Sequence, residues 1–353
     1  MSYNILITGA SGYLGGSLLA RLATVKEKFP AYGNLYALVR TEAQAESVKQ
    51  YGAKPLTFDT RNGDEVRENV VKLDIAVVYF LIDASNAEAQ VDFIKALGEV
   101  GKRSGRAVHL LHTTGAKIFS SHAGAPTDRP LFDNDPELYN IQKSQRSPYT
   151  IMQKAVNANN IVIEEAEKHG VRSYIFAPCI VYGEGEGFGN KISIQTVAIV
   201  KAAKALQRVY KVDQGEPSWP VCHIFDNTTL YLQLLRRILA GDDVPHGKNG
   251  YYLASSGSII WDKLYTAMAA ALAKRNVVGD AAVVPALGNE DSQILERMGA
   301  ALGCPKEFVP VQLGGKCTFT AVHGKEIGWE PEFPPEHILE AADAEVELIL
   351  KNM

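Results

Sequence analysis

Apolar runs of four to nine residues alternate, through the first half of the chain, with longer segments that carry apolar residues at helical spacing. The runs that predict strands are residues 4–8, 35–39, 55–58, 74–82, 107–112 and 171–177. The segments that predict helices are residues 12–23, 42–51, 86–104 and 150–169. Regular alternation of strand and helix predicts an α/β fold built on a doubly wound parallel sheet.

This alternation breaks down after Tyr182, where residues 183–190 are rich in glycine and the later helices and short strands follow no regular order. We interpret residues 1–182 as one domain. Residues 183–353 are interpreted mainly as a smaller, mixed α/β lobe. A strand near residues 221–226 is expected to leave this lobe and return to the sheet.

Composition and charge narrow the class of protein. The chain is 46% hydrophobic and 22% charged, which is ordinary for a globular domain, and its net charge of −4 gives no basic surface for nucleic acid or anionic lipid. The cysteines lack C-x-x-C spacing, so we predict reduced thiols and no metal site at Cys179, Cys222, Cys304 and Cys317. We find no transmembrane segment or cleavable leader and predict a cytoplasmic protein.

A glycine-rich loop follows the first predicted strand and opens the first predicted helix. Gly9 permits a tight turn, Gly12 lets backbone N–H groups approach a pyrophosphate, and Gly15 allows close packing of helix on sheet. A strand, this loop and a helix together predict a Rossmann-type dinucleotide site. The predicted cofactor contacts of the loop are Gly9, Ser11, Gly12, Tyr13, Leu14 and Gly15.

The end of the second predicted strand distinguishes the two forms of a nicotinamide cofactor. An acidic residue there binds the ribose hydroxyls of NAD, whereas a nearby Arg accommodates the 2′-phosphate of NADP. Here the strand ends at Arg40, and the first carboxylate after it is Glu42. The sequence therefore predicts NADP(H) rather than NAD(H), with a solvated surface cation as the other interpretation of Arg40.

With these features the chain resembles the extended (atypical) short-chain dehydrogenase/reductase superfamily, in its NAD-dependent epimerase/dehydratase-like branch, over roughly residues 3–255. It is similar in particular to fungal proteins of that branch. Beyond the glycine loop and Arg40, the resemblance rests on Asp59, Thr113-Thr114, Pro178, Val181-Tyr182-Gly183 and residues 221–226. It implies a Rossmann sheet with a smaller C-terminal substrate lobe, and cofactor contacts at Asp59, Pro178 and Val181.

In that family a Ser or Thr hydroxyl, a Tyr and a Lys four residues after the Tyr act together on the substrate oxygen. The resemblance assigns the hydroxyl to Thr114 and the Lys, which also binds the cofactor ribose, to Lys154. Thr150 occupies the position of the Tyr, and Tyr149 lies one residue too early. Positions five apart on a helix diverge by about 140°, but Pro148 precedes Tyr149 and leaves it free to turn inward before regular helix begins.

Other proton donors remain open. Tyr139 and Lys143 form a second Y-x-x-x-K match, at greater distance from Gly183 than the family has. Tyr182 and His223 are further donors, although core or structural roles are the simpler interpretation of each. A site with no tyrosine at all is the remaining alternative.

The predicted function is NADP(H)-dependent reduction of a small carbonyl-type or secondary-metabolite substrate. The alternatives are a non-redox isomerase or cyclase that retains the dinucleotide, and an NmrA-like regulator that senses it without catalysis. Residues 183–189 are interpreted as a mobile substrate loop, which favours an enzyme. The segment 219–223 is expected to bring Trp219 and His223 toward the same lobe, which suits an aromatic or polyketide-like substrate. The expected partners are a small molecule and a second copy of the chain, through helices 86–104 and 150–169, with no nucleic acid and no membrane.

Overall fold

The computed structural model describes residues 2–287 and 291–353. Its strands, in chain order, are β1 Asn4–Ile7, β2 Leu35–Leu38, β3 Lys54–Leu56, β4 Ile75–Phe80, β5 His109–Thr113, β6 Leu131–Phe132, β7 Arg172–Pro178, β8 Ile180–Tyr182, β9 Val209–Lys211, β10 Ser218–His223, β11 Tyr251–Ala254, β12 Gly257–Ile260, β13 Val283–Pro285 and β14 Phe319–Thr320.

Helices connect these strands along the whole chain. They are α1 Tyr13–Val25, α2 Glu42–Lys49, α3 Gly63–Lys72, α4 Glu88–Ser104, α5 Leu138–Ser144, α6 Thr150–His169, α7 Gln195–Leu206, α8 Ile224–Ala240, α9 Trp261–Lys274, α10 Ser292–Leu302, α11 Val309–Leu313, α12 His323–Glu326, α13 His337–Glu340 and α14 Ala342–Asn352. Within the described part of the chain, no helix is both long enough and apolar enough to cross a bilayer.

Seven strands form the central sheet in the order β3-β2-β1-β4-β5-β7-β11, and every neighbouring pair in it is parallel. The predicted doubly wound parallel sheet is therefore confirmed. All six residues of β4 are buried, as a central strand covered on both faces requires. Chain order reverses between β1 and β4, so the carboxyl ends of these strands flank the crevice where open α/β sheets bind ligands.

The expected return of a strand near residues 221–226 to the sheet is wrong. Strand β10 pairs in parallel with β8 and antiparallel with β12, in a separate three-stranded sheet. Residues 224–226 already belong to α8, whose first turn is capped by the His223 side chain. The edge of the central sheet is instead taken by β11, which pairs with β7 from Tyr251 to Ala254. The division of the chain at residue 182 stays a prediction.

The C-terminal segment packs back on the rest of the molecule. Helix α14 contacts α9 and α7, and the buried residues of α13 and α14 include Ile338, Ala342, Val346 and Ile349. Within α14, Ala342, Val346 and Ile349 form one helical face, because positions three and four apart lie on the same side of a helix. The buried Glu345 is on the same helix, and it reaches toward the candidate site.

Candidate active site

The glycine loop between β1 and α1 has the geometry that its sequence predicts. Gly9 has a positive φ of 66°, and its carbonyl oxygen accepts from the Gly12 N–H at 2.9 Å. A Cβ atom at Gly15 would lie 2.4 Å from the same carbonyl oxygen, which is closer than any real contact. The loop therefore requires glycine at Gly9 for its backbone angle and at Gly15 for close approach.

The N-terminus of α1 is left free to bind an anion. Gly12 is the N-cap, no side chain caps the helix, and its first turn holds no acidic residue. Unpaired N–H groups and the helix dipole at such an end favour a phosphate. The Tyr13 hydroxyl is already engaged, because it donates to the Gly183 carbonyl at 2.6 Å. Tyr13 can therefore contact a cofactor through its backbone rather than through its hydroxyl.

Two cavities open on either side of this loop, and Gly9, Gly12 and Leu81 line both of them. The larger has a volume of about 740 Å³ and the smaller about 450 Å³. Of the predicted cofactor residues, the larger cavity is lined by Gly9, Ser11, Gly12, Arg40 and Asp59. The smaller cavity is lined by Gly9, Gly12, Tyr13, Leu14, Gly15, Pro178 and Val181.

The two charged residues predicted to contact the cofactor in the larger cavity, Asp59 and Arg40, differ in whether their charge is paired. Asp59 accepts from the Arg61 guanidinium, at 2.8 Å in the closest contact, and this hydrogen bond lowers the pKa of Asp59 to about 2. Arg40 is exposed at the end of the second strand, and its backbone N–H donates to the Gln44 side chain at 2.9 Å. Within residues 2–287 and 291–353, no carboxylate pairs with the Arg40 guanidinium.

The smaller cavity contains Thr114, the first of the three predicted catalytic residues. Its backbone N–H donates to the Phe176 carbonyl at 2.8 Å, which fixes the residue between β5 and β7. Its hydroxyl oxygen is buried and has no hydrogen-bond partner in the described part of the chain. A buried hydroxyl without a partner is costly, so Thr114 is suited to receive a ligand oxygen.

The structure does not bring Tyr149 and Lys154 to this cavity. Tyr149 is the N-cap of α6, with an extended backbone, and its ring packs edge-on against His122 and Phe308. Lys154 is exposed to solvent. The residues of α6 that line the cavity are Ile151, Met152 and Ala155.

Neither residue lines the smaller cavity, and the expected Tyr-Lys relay, with Lys154 at the cofactor ribose, stays a prediction. Pro148 keeps Tyr149 outside the helix, so regular helix starts at Thr150. The helix then turns positions 151 and 155, rather than 150 and 154, toward the cavity. These two positions carry apolar side chains.

The alternative tyrosines are also outside the lining of the smaller cavity. Tyr139 donates to Glu164 at 2.6 Å and accepts from Lys143 at 3.2 Å, which forms a cluster between α5 and α6. The Tyr182 hydroxyl is paired with His337 at 2.9 Å. Burial lowers the pKa of His223 to about 4, and the ring accepts from the Phe225 N–H. Each of these groups therefore has a structural partner.

Lys117 is a charged residue of the smaller cavity's lining that sequence reasoning missed. It lies on a short 3₁₀ helix, Ala116–Phe119, directly after β5 and Thr114. Its ammonium donates to the Gln312 side chain at 3.2 Å, and burial lowers the pKa of Lys117 to about 8. The signal available in the sequence was a lone lysine, three residues after Thr114, in an otherwise apolar segment.

The segment 183–189, interpreted as a mobile loop, is held against α1 by backbone contacts. The Glu186 N–H donates to the Ser17 hydroxyl at 3.0 Å, and the Glu186 carboxylate pairs with Arg21. A Cβ atom at Gly187 would lie 2.5 Å from the Gly16 Cα. The residues after this segment still line the smaller cavity, from Asn190 to Gln195. The segment thus joins the glycine loop to the substrate side of the site.

Comparisons with known proteins agree with this arrangement. The model of the NAD dependent epimerase/dehydratase family matches residues 5–246. The chain is 22% identical to the oxidase ucsJ of Acremonium sp., over 76% of this chain and 78% of that protein. A solved dTDP-glucose 4,6-dehydratase of Bacillus anthracis, in complex with NAD, is similar with a TM-score of 0.65 at 12% identity, covering 99% and 97% of the two chains. The UDP-glucose 4-epimerase of Thermotoga maritima gives 0.62 at 14% identity and 99% coverage of both.

Proposed function

Because this chain belongs to the NAD dependent epimerase/dehydratase family, we propose that it is an NADP(H)-dependent reductase of a small carbonyl compound. The observation that carries the proposal is the shared lining of the two cavities by Gly9 and Gly12. A dinucleotide whose pyrophosphate lies over these glycines extends its adenosine half into the larger cavity. Its nicotinamide half then extends into the smaller cavity, beside Thr114.

The residues present fit such a cofactor. The uncapped N-terminus of α1 suits the pyrophosphate. A Cβ at Gly15 would clash with the turn that the loop needs. When bound, the cofactor supplies the hydride that a carbonyl reduction requires. The chain itself orients the substrate oxygen through the Thr114 hydroxyl. Ile151, Met152 and Ala155 exclude water from one wall of the cavity.

Arg40 supports NADP(H) over NAD(H). It lines the larger cavity at the end of β2, where the adenosine ribose lies in this type of fold. Since Asp59 pairs with Arg61, the Arg40 guanidinium is the cation left to bind a 2′-phosphate. A cytoplasmic location is part of the same proposal, because Cys179, Cys222, Cys304 and Cys317 are free thiols, as a reducing compartment maintains them.

The test begins with cofactor binding, which is measured by the change in nicotinamide fluorescence. We expect NADPH to bind at least about ten-fold more tightly than NADH, the effect of one charged hydrogen bond. Arg40→Ala removes this preference, whereas Arg129→Ala, at an exposed arginine outside both cavities, keeps it. Equal affinity of the wild type for both cofactors contradicts the NADP(H) assignment.

Turnover is then measured as loss of NADPH absorbance with a panel of aldehydes, ketones and keto acids. Oxidation of NADPH that depends on one class of carbonyl supports the reductase. Tight binding of NADPH without oxidation by any member of the panel contradicts it and favours a non-redox enzyme or a dinucleotide sensor.

A further inference from the structure

The charge of Lys117 has no counter-ion in the smaller cavity. Among the described residues, those that line this cavity include no Asp and no Glu. The one hydrogen bond of the ammonium goes to the neutral amide of Gln312, at 3.2 Å. An ammonium group has three protons to donate, so two of them are left for another acceptor. Lys117 is therefore a residue of the cavity lining whose ammonium has donors to spare.

Trp219 supplies a second donor in the same cavity. The residue is 1% exposed, and its indole N–H is buried without a hydrogen-bond partner in the described ranges. The indole nitrogen is a donor only, so nothing but an acceptor can satisfy it. The ring is fixed by its neighbour Trp261, at 5.8 Å between centroids, whose own N–H donates to the Gly315 carbonyl.

Cys317 lies between the backbone segments that carry Lys117 and Trp219, two residues that line the same cavity. Its backbone N–H donates to the carbonyl of Ser218, the residue before Trp219, at 3.0 Å. Its thiol donates to the carbonyl of Ala116, the residue before Lys117, at 3.6 Å. One buried residue therefore bridges, through its backbone N–H and its thiol, the backbone segments that carry the two donors.

We propose that Lys117 and Trp219 form a carboxylate-binding subsite, and that the substrate carries a carboxylate beside its reducible carbonyl. A carboxylate accepts hydrogen bonds only, and its two oxygens match one ammonium and one indole N–H. A buried ammonium without a counter-ion is costly, and an anionic ligand offsets that cost. The volume of about 450 Å³ lies in the range of small-molecule sites. The substrate assignment rests on the proposed function, whereas the subsite itself does not need turnover.

Binding is tested without NADPH, so that no reaction occurs. The probes are pyruvate, phenylpyruvate and indole-3-pyruvate, each beside its methyl ester, which has the same shape without the charge. Competitive acetylation with peptide mass spectrometry measures the reactivity of Lys117 at each pH. We expect at least one acid to lower the acetylation of Lys117 about ten-fold and to raise the pKa of its amine above about 8. The matching ester leaves both unchanged.

Variants separate the subsite from general damage to the fold. Lys117→Met should weaken binding of the protecting acid at least ten-fold, and Lys117→Arg should restore most of it, because a guanidinium also pairs with a carboxylate. The matched control is Lys204→Met, at an exposed lysine of α7. The melting temperature and the NADPH affinity of each variant report on the rest of the molecule.

Two outcomes overturn the proposal. One is that no acid protects Lys117 better than its ester. The other is that Lys117→Met binds the acids as the wild type does. If NADPH still binds, either outcome rejects the carboxylate subsite alone. Failure to bind NADPH rejects the proposed function and leaves the carboxylate result to stand by itself.

Discussion

Lys117 carries a buried positive charge, and the energetic cost of that charge depends on pH. Its amine has a pKa of about 8 in the folded chain, lowered by burial, against 10.5 when exposed. Between these values the unfolded chain binds more protons, so stability rises with pH across this window. The titratable groups that interact with Lys117 are Cys304 and His122.

Lys117→Met removes this dependence. At pH 7.5 we expect the variant to have a larger free energy of unfolding than the wild type. At pH 9.5 this difference should be smaller by about 2 kcal/mol. The measurement is urea unfolding at both pH values, with Lys204→Met as the control that shows no such change. If the free energies of unfolding of Lys117→Met and the wild type differ by the same amount at both pH values, the buried-charge interpretation is wrong.

Thr114 is expected to act on the substrate oxygen through its hydroxyl alone. Thr114→Val keeps the shape of the side chain and removes the donor, so we expect turnover to fall about 100-fold with little change in NADPH affinity. Thr114→Ser should keep most of the activity. Turnover and cofactor binding are measured on the same samples. Loss of NADPH binding in the valine variant would instead point to a structural role.

Residue identities predicted the geometry of the glycine loop, but they did not predict the surroundings of Tyr149, Lys154 and Lys117, for a physical reason. The roles of Gly9 and Gly15 follow from local backbone geometry, which neighbouring residues determine. The roles of Tyr149 and Lys154 depend on the rotation of α6 about its axis. One residue changes that rotation by about 100°, and spacing alone does not reveal it. Lys117 was missed because its burial comes from segments distant in sequence.

At the scale of elements, segment 183–189 contacts α1 through side chains and, at Gly187, through backbone against backbone. A Cβ at Gly187 would meet the Gly16 Cα at 2.5 Å, so no side chain fits between them. Gly187→Ala should therefore displace the segment and cost about 1–3 kcal/mol of stability, as overpacking does. It should also weaken NADPH binding, because the displaced chain joins the glycine loop to the cavity.

The control for this change is Gly279→Ala, at an exposed glycine whose added Cβ would meet nothing within 4 Å. Melting temperature and NADPH affinity are measured for both variants. A Gly187→Ala protein as stable as Gly279→Ala contradicts the close contact.

The elements predicted best are those whose ends are marked by residues nearby in the sequence. Helix α6 runs from Thr150 to His169 as predicted, because Pro148 delays its start and Gly170, with φ 69°, ends it. Strand β10 was recognised, but its partners were not. An apolar strand identifies itself by composition, whereas the choice of neighbour is settled by the whole chain. Strand β10 pairs in parallel with β8, which lies outside the central sheet.

On the scale of the whole molecule, Glu345 connects the C-terminal helix to the site. Its carboxylate accepts from the Gly183 N–H at 2.8 Å and from the Thr196 hydroxyl at 2.7 Å. Glu345→Ala removes the partner of the half-buried Gly183 N–H and leaves the buried Thr196 hydroxyl with Ser193 alone, so we expect a loss of about 1–3 kcal/mol. It should also increase protease cleavage near residue 183.

The matched change is Glu340→Ala, on the neighbouring helix at an exposed position. Limited proteolysis and urea unfolding compare the two. Equal behaviour of the two variants would show that α14 does not hold the segment. The predicted homodimer stays a prediction, which sedimentation of the same preparations tests.

The two cavities that share Gly9 and Gly12 have a consequence for fragments of ligands. A molecule such as 2′,5′-ADP carries the adenosine of the cofactor with its 2′-phosphate and one phosphate of the pyrophosphate, and we expect it to bind in the larger cavity alone. The smaller cavity then remains free for a keto acid beside Lys117. Both fragments can therefore be bound at once, in a complex that resembles the working one and has no hydride to transfer. Immobilised 2′,5′-ADP would retain the protein on a column, and a keto acid in the buffer would not elute it.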